Sequence, residues 1–133
     1  MFLRPLHKRQ KELVLGVALW AAKANEVIEE REEECLNLYA DEMGITMSDA
    51  STLPLETICK ELKAISSTKE INQIIFEIVG LMLSDFKYDE KEREFMFRLI
   101  ELLGVSNEKL NLMIDYVKEY FDLTKRINIL MFE

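Results

Sequence analysis

Apolar residues recur along the chain three or four positions apart, which is the spacing of one face of an α-helix. The first stretch predicts a helix over about residues 6–24, with a buried stripe of Val14, Leu15, Ala18, Leu19 and Ala22. A second helix is expected from Glu29 to Gly44, a residue that can adopt the positive φ of a helix end. Its apolar stripe consists of Leu36, Tyr39, Ala40 and Met43.

The segment 45–54 has no helical period, and its Thr, Ser and Pro residues predict a loop with a short helical turn around Ser48. Pro54 is expected at the first position of a third helix, where a missing N–H group costs nothing. The apolar face of that helix is Leu55, Ile58, Cys59, Leu62 and Ile65. Residues 66–68 then supply the N-cap of a fourth helix over about residues 69–84, with the apolar stripe Ile74, Ile75, Ile78, Val79 and Met82.

The last third of the chain predicts a fifth and a sixth helix. Asp89 is expected to cap the fifth, with Glu92 reaching back to the cap, and Gly104 ends it after the stripe Met96, Leu99, Ile100 and Leu103. Ser106 caps the sixth, whose predicted core face is Leu110, Met113, Ile114, Val117, Tyr120 and Phe121. Residues 122–133 are too apolar for a disordered end, so we expect them to dock on the domain or on a second chain. Two conformations fit this tail, a short final helix begun near Thr124 or an extended strip.

One motif occurs twice, as a helix, an acidic turn and a second helix. Aligning Asn25 with Asp85 gives an offset of 85 − 25 = 60 residues, which also superposes Gly44 on Gly104. Glu30, Glu32 and Glu34 then align with identical residues at 90, 92 and 94. The simplest explanation is an internal duplication, with repeat units over about residues 12–45 and 72–105.

Composition fits this helical pattern. A chain of 133 residues with four Gly and two Pro has few turn formers and enough length for one core. We therefore expect a single all-α domain over residues 1–133, a bundle of about six to seven helices with an internal pseudo-two-fold duplication.

The formal net charge is −8, and the basic residues are scattered rather than clustered, so nucleic-acid binding is not expected. An acidic surface attracts cations or basic partners instead. The apolar run at residues 13–22 is too short to span a bilayer, which predicts a cytoplasmic protein without a transmembrane segment. Peripheral association with a membrane complex stays open. Cys35 and Cys59 are expected to be small buried hydrophobes in a reducing compartment.

Candidate chemistry is limited to carboxylates. His7 is the only histidine, and the Glu-x-x-His pattern of di-iron bundles does not occur, so no catalytic residue or enzyme activity is predicted. Asp85, Asp89 and Glu92 can converge at the second turn, where their oxygens suit a hard cation such as Ca²⁺ or Mg²⁺. Asn25, Glu29 and Glu32 form a weaker counterpart at the first turn. The alternative role of both sets is helix capping and solvation.

These motif residues resemble the TerB-like domains, which include tellurite-resistance TerB proteins and the amino-terminal domain of DjlA-type DnaJ co-chaperones. The resemblance covers residues 12–123: an Ala-rich helix, an Asp or Asn turn, a Glu seven residues later and a Leu-Gly-aliphatic helix end. The family usually has Asp-Gly at the turn, whereas this chain has Asn25-Glu26 and Asp85-Phe86. The resemblance implies a pseudo-symmetric helical bundle without catalysis.

From the resemblance we expect a protein-interaction module in a stress-response or envelope-linked assembly, with a protein partner. A homodimer formed through the apolar C-terminal tail is a further possibility. The alternative function is a divalent-cation sensor that uses the acidic turns.

Overall fold

A computed structural model describes residue 3 and residues 5–24, 30–84 and 89–132. The described chain contains six α-helices, one 3₁₀ turn at Met47–Asp49 and no strand. The helices are α1 (Lys8–Lys23), α2 (Glu30–Met43), α3 (Leu55–Ile65), α4 (Thr68–Ser84), α5 (Glu90–Leu103) and α6 (Asn107–Phe132). The prediction of an all-α bundle is confirmed.

The core lies between α1 and the helices that surround it. α1 contacts α2, α3, α4 and α5, while α4 also packs against α6. Every predicted stripe residue of α2, α4 and α5 is buried. Two other predictions were wrong, because Leu19 in α1 is only half-buried and Ile65, the last residue of α3, is 36% exposed. In α1 and α3, the buried face is therefore narrower than the set of apolar residues in the sequence indicates.

Side-chain caps fix several helix starts. Ser67 Oγ accepts a hydrogen bond from the Glu70 N–H at 3.1 Å, and Glu70 Oε1 accepts one from the Ser67 N–H at 2.9 Å. This reciprocal pair is the capping box that satisfies two of the unpaired N–H groups at a helix start. Ser106 caps α6 by accepting from the Lys109 N–H at 3.1 Å, as predicted. Pro54 precedes the first residue of α3, one position earlier than expected.

The loop after α2 closes against α1. The Ser51 N–H donates to the Glu12 carbonyl oxygen at 3.0 Å, and Trp20 Nε1 donates to the Leu53 carbonyl oxygen at 3.0 Å. Gly16 permits this approach, since a Cβ built there would lie 2.8 Å from the Ser51 carbonyl oxygen. Trp20 is 38% exposed and therefore lies at the rim of the core.

Residues 122–132 do not follow the sequence prediction. α6 continues without a break at Thr124 as far as Phe132, so neither a separate short helix nor an extended strip is present in the described part. Residues 122–132 are exposed on every side of the helix. Docking of this tail on the bundle was thus wrong, because α6 continues as one helix whose residues 122–132 are exposed, while docking on a second chain stays a prediction.

Neither cysteine forms a disulfide. Cys59 is buried in α3, and this burial raises the pKa of its thiol to about 12. Cys35 is only half-buried, so the expectation of two buried cysteines was wrong for this residue. Among the helices that the structure describes, none is both long enough and apolar enough to span a membrane.

Helix bounds repeat at the predicted offset of 60 residues. α2 and α5 start at Glu30 and Glu90, and Gly44 and Gly104 follow their ends with the same φ of 77°. The two-fold relation of the repeats in space stays a prediction.

Candidate functional site

The acidic start of α5 is organised as a helix cap. Asp89 has extended backbone angles, and its side chain accepts a hydrogen bond from the Glu92 N–H at 3.2 Å. The predicted N-cap is therefore confirmed, whereas the return bond from the Glu92 carboxylate to the cap stays a prediction. Asp85, the third residue of the predicted cation site, lies outside the described residues.

Two glutamates at matching positions of α2 and α5 are buried. Glu92 is 0% exposed and Glu32 is 7% exposed, although Glu30 and Glu90, two residues earlier, are exposed. Each lies in the first turn of its helix, where the positive end of the helix dipole favours a carboxylate. Charged side chains are rarely buried to this degree without compensating interactions. The structure thus distinguishes these two glutamates from the solvated acidic residues beside them.

The predicted cation sites are only partly described. Asn25 and Glu29 lie outside the described residues, as does Asp85, which leaves Asp89 with Glu92 at one site and Glu32 alone at the other. In the described ranges, His, Cys, Asp and Glu side chains form no group of three or more that could hold a metal ion. Calcium takes six to eight oxygen ligands. The carboxylates in the described residues could supply only some of these ligands, and both sites stay predictions.

The sequence analysis missed a second apolar stripe, which lies on α6 and faces solvent. We call it the outer stripe, and its members are exposed between 45% and 83%: Leu112, Tyr116, Tyr120, Leu123, Ile127 and Leu130. The assignment of Tyr120 to the core was wrong, since this side chain is 65% exposed. Steps of three and four residues separate the members from Tyr116 onward, which is the heptad spacing of a coiled-coil seam.

α6 packs on the bundle through a different stripe. Leu110 and Val117 are buried, and Met113, Ile114 and Phe121 are partly buried against the core. At 3.6 residues per turn, the outer stripe lies about a third of a turn around the helix from this core-facing stripe. The remaining face is charged, with Asp115, Lys118, Glu119, Asp122, Lys125 and Arg126. The helix therefore has one packed, one apolar solvent-exposed and one charged face.

The projecting end of α6 also presents side chains on the side that continues its core-facing stripe. These residues form an open surface and all belong to α6: Tyr120, Phe121, Thr124, Lys125, Asn128, Ile129 and Phe132. Tyr120 and Phe121 form a tilted aromatic pair there, with ring centroids 6.0 Å apart. Apolar side chains on both flanks of the projecting end are thus available for contact.

Burial and an ion pair explain the shifted pKa values of two side chains outside the acidic turns. Burial raises the pKa of Tyr39 well above its usual value, and Glu77 and Glu42 add to the effect. Arg9 donates to Glu61, which lowers the pKa of that carboxyl group and joins α1 to α3 at the surface. These groups belong to the core and to an exposed helix contact.

Comparison with protein-family models, with curated proteins and with solved structures finds no match to this chain. The TerB-like assignment accordingly stays a prediction that rests on the motif residues.

Proposed function

We propose that the protein is a non-enzymatic interaction module of TerB-like type, which binds a protein partner in a stress-response or envelope-linked assembly. The outer stripe of α6 is the observation that carries this proposal. Exposed apolar patches of more than a few hundred Å² on a soluble domain mark interaction sites. The six members of the stripe alternate with charged residues along a single helix, which is how helices present a docking face.

The chemistry of the stripe fits a protein partner. Tyr116 and Tyr120 are 56% and 65% exposed, and tyrosine combines a large apolar ring with a polar hydroxyl group. Aromatic residues are enriched at protein interfaces for this reason. The flanking charges at Glu119 and Arg126 provide a polar rim. The stripe therefore has an apolar centre and a charged edge.

Affinity capture from native cells tests this proposal. We expect the wild-type chain to retain a specific protein, and the double variant Tyr120→Glu/Ile127→Glu to lose it, because two charges would be buried in the interface. Both substituted residues are exposed, so the melting temperature should change little. Lys118→Glu, on the charged face, is the matched control and should retain the partner. Equal capture by all three proteins, or turnover of a metabolite by the purified chain, would contradict the proposal.

A second candidate function is a divalent-cation sensor. It would use Asp85, Asp89 and Glu92, with Asn25, Glu29 and Glu32 as the weaker site. The burial of Glu92 and Glu32 at matching positions favours it, since a bound cation offsets the cost of burying a carboxylate. Thermal melts with Ca²⁺, Mg²⁺, Mn²⁺ and Zn²⁺ are the test. A cation at 100 times its dissociation constant should stabilise the fold by about 2.7 kcal/mol.

Glu92→Gln separates the cation site from a simple cap. Gln serves a capping box as Glu does, so the stability of the metal-free protein should be nearly unchanged. The metal-dependent part of the stability should disappear, because the amide lacks the negative charge. Glu90→Gln, at an exposed neighbouring position, is the control. Melting temperatures that do not respond to millimolar metal in the wild type would eliminate the sensor function.

A further inference from the structure

We propose that the partner bound by the outer stripe is a second copy of this chain, with the two α6 helices paired antiparallel. This inference rests on the proposed function, because it names the occupant of the same surface. It follows from the register of the stripe, the charges beside the stripe and the exposed area.

The register of the stripe is self-complementary. In an antiparallel pair, placing Tyr120 opposite Leu123 of the second copy also places Tyr116 opposite Ile127. The next position of this register sets Leu130 of the second copy beside Met113, which lies at the edge of the core-facing stripe and is only partly buried there. Each of these contacts occurs twice, since a two-fold interface uses the same patch on both chains.

The exposed surfaces of the two halves of α6 match in this arrangement. The first half is held by the bundle but leaves Leu112 and Tyr116 51% and 56% exposed. The second half, residues 122–132, projects and is exposed throughout. In the antiparallel pair the projecting half of each copy covers the outer stripe on the packed half of the other. The buried residues Leu110 and Val117 lie about a third of a turn from the outer stripe, and Met113 lies between them and the stripe.

Charge favours the antiparallel over the parallel orientation. Glu119 and Arg126 lie on the same side of the stripe, one heptad apart. Antiparallel pairing brings Glu119 of each copy beside Arg126 of the other, which gives two opposite-charge contacts. Parallel pairing in register would instead set Glu119 near Thr124 and Arg126 near Met131, with no charge pair. Arg126 bonds Asp122 on the charged face of its own helix at 3.1 Å, so in the dimer its guanidinium is shared between Asp122 and Glu119 of the second copy.

The exposed tyrosines supply a substantial part of the area that a dimer needs. With aromatic side chains contributing roughly 150–250 Å² each, the exposed parts of the two tyrosines alone amount to roughly 200–300 Å² per copy. Four exposed aliphatic members extend the stripe to a length of about 30 Å along α6. A standard interface buries roughly 800 Å² per partner. The two tyrosines thus supply roughly a quarter to two-fifths of this value, and the aliphatic members with the flanking residues have to supply the rest.

Sedimentation of the full-length chain over a range of concentrations tests the dimer. We expect a concentration-dependent dimer, and we expect Tyr120→Glu to raise the dissociation constant at least tenfold, as for a charge placed in the centre of an interface. Lys118→Glu should leave the constant unchanged. It is a matched control because it also introduces a glutamate at an exposed position of α6, but on the charged face and outside the outer stripe.

Charge reversal tests the orientation. Glu119→Arg and Arg126→Glu, each alone, create two like-charge contacts per dimer and should weaken it about threefold or more. A mixture of these two single variants should form a heterodimer in preference to either homodimer, because every contact then joins opposite charges. The double variant Glu119→Arg/Arg126→Glu should regain the wild-type constant.

The possible outcomes separate this inference from the proposed function. A chain that stays monomeric at millimolar concentration overturns the second copy as partner. The proposed function would stand even for a monomeric chain, provided that Tyr120→Glu/Ile127→Glu abolished the capture of a cellular protein. A dimer that is insensitive to Tyr120→Glu, or variants that show no heterodimer preference, would also overturn the antiparallel pairing.

Discussion

The helix pairs α1–α2 and α4–α5 begin 60 residues apart along the chain, but they differ in the size of their buried side chains. Ala18 in α1 and Ile78 in α4 hold matching positions and are both 0% exposed. α1 also carries Gly16, where the loop at Ser51 comes close, whereas the matching region of α4 is rich in isoleucine. The same hydrophobic period therefore produces two differently packed helices, because side-chain volume decides how closely a neighbour approaches.

The largest effect is expected from Ile78→Ala. This substitution places in α4 the alanine that α1 has at the matching position 18. It leaves a cavity, which should lower the free energy of unfolding by about 2–5 kcal/mol. Ala18→Gly, the matching truncation in α1, should cost only about 1 kcal/mol of helix propensity. Chemical denaturation of both variants measures the difference. Equal losses would show that the two helices do not differ in packing.

Gly16→Ala should lower the free energy of unfolding by about 1–3 kcal/mol, the range for overpacking a tight contact. The new methyl group would lie 2.8 Å from the Ser51 carbonyl oxygen and 3.0 Å from Ile58 Cδ1. Alanine is otherwise the better helix former, so a stabilised variant would mean that the loop moves away without loss. Urea titration, monitored by the fluorescence of Trp20 next to this loop, reports both outcomes.

Asp89→Ala should cost about 1 kcal/mol, since it removes the acceptor for the Glu92 N–H at the start of α5. Asp89→Asn keeps an acceptor oxygen and should preserve most of the stability in the absence of metal. Thermal unfolding in the presence of a chelator measures the cap without any contribution from a cation. An Asn variant as unstable as the Ala variant would assign the effect to charge and not to the hydrogen bond.

The smallest effect, and one of opposite sign, is expected from Gly80→Ala. Apart from the adjoining residues and the nearby backbone of α4 itself, no atom of the described residues lies within 4 Å of a Cβ at this position. Replacing a glycine inside a helix should then raise the free energy of unfolding by about 0.5–1 kcal/mol. Compared with Gly16→Ala, this variant isolates the effect of the close loop in α1. A destabilised Gly80→Ala protein would contradict the open environment.

Local signals in the sequence determined most of the helix bounds. The expected bounds 6–24 and 69–84 correspond to Lys8–Lys23 and Thr68–Ser84. Ser67, Asp89 and Ser106 were recognisable as caps, because a cap depends on a hydrogen bond to a residue three positions away. Gly44 and Gly104 end their helices for a similarly local reason, the positive φ. Such features need no knowledge of distant parts of the chain.

Only the tertiary structure decided which apolar faces are covered. A periodic stripe shows that a helix has an apolar side, but the neighbour that covers this side comes from elsewhere in the chain. Tyr120 was therefore assigned to the core, although α6 packs through Val117 and leaves Tyr120 in solvent. The burial of Glu32 and Glu92 was unpredictable for the same reason, since residue type does not distinguish them from the exposed glutamates around them. The sequence by itself determined where most of the helices begin and end, through bonds between near neighbours, and the end of α6 is the exception. The positions of whole helices relative to one another decided which side chains meet water.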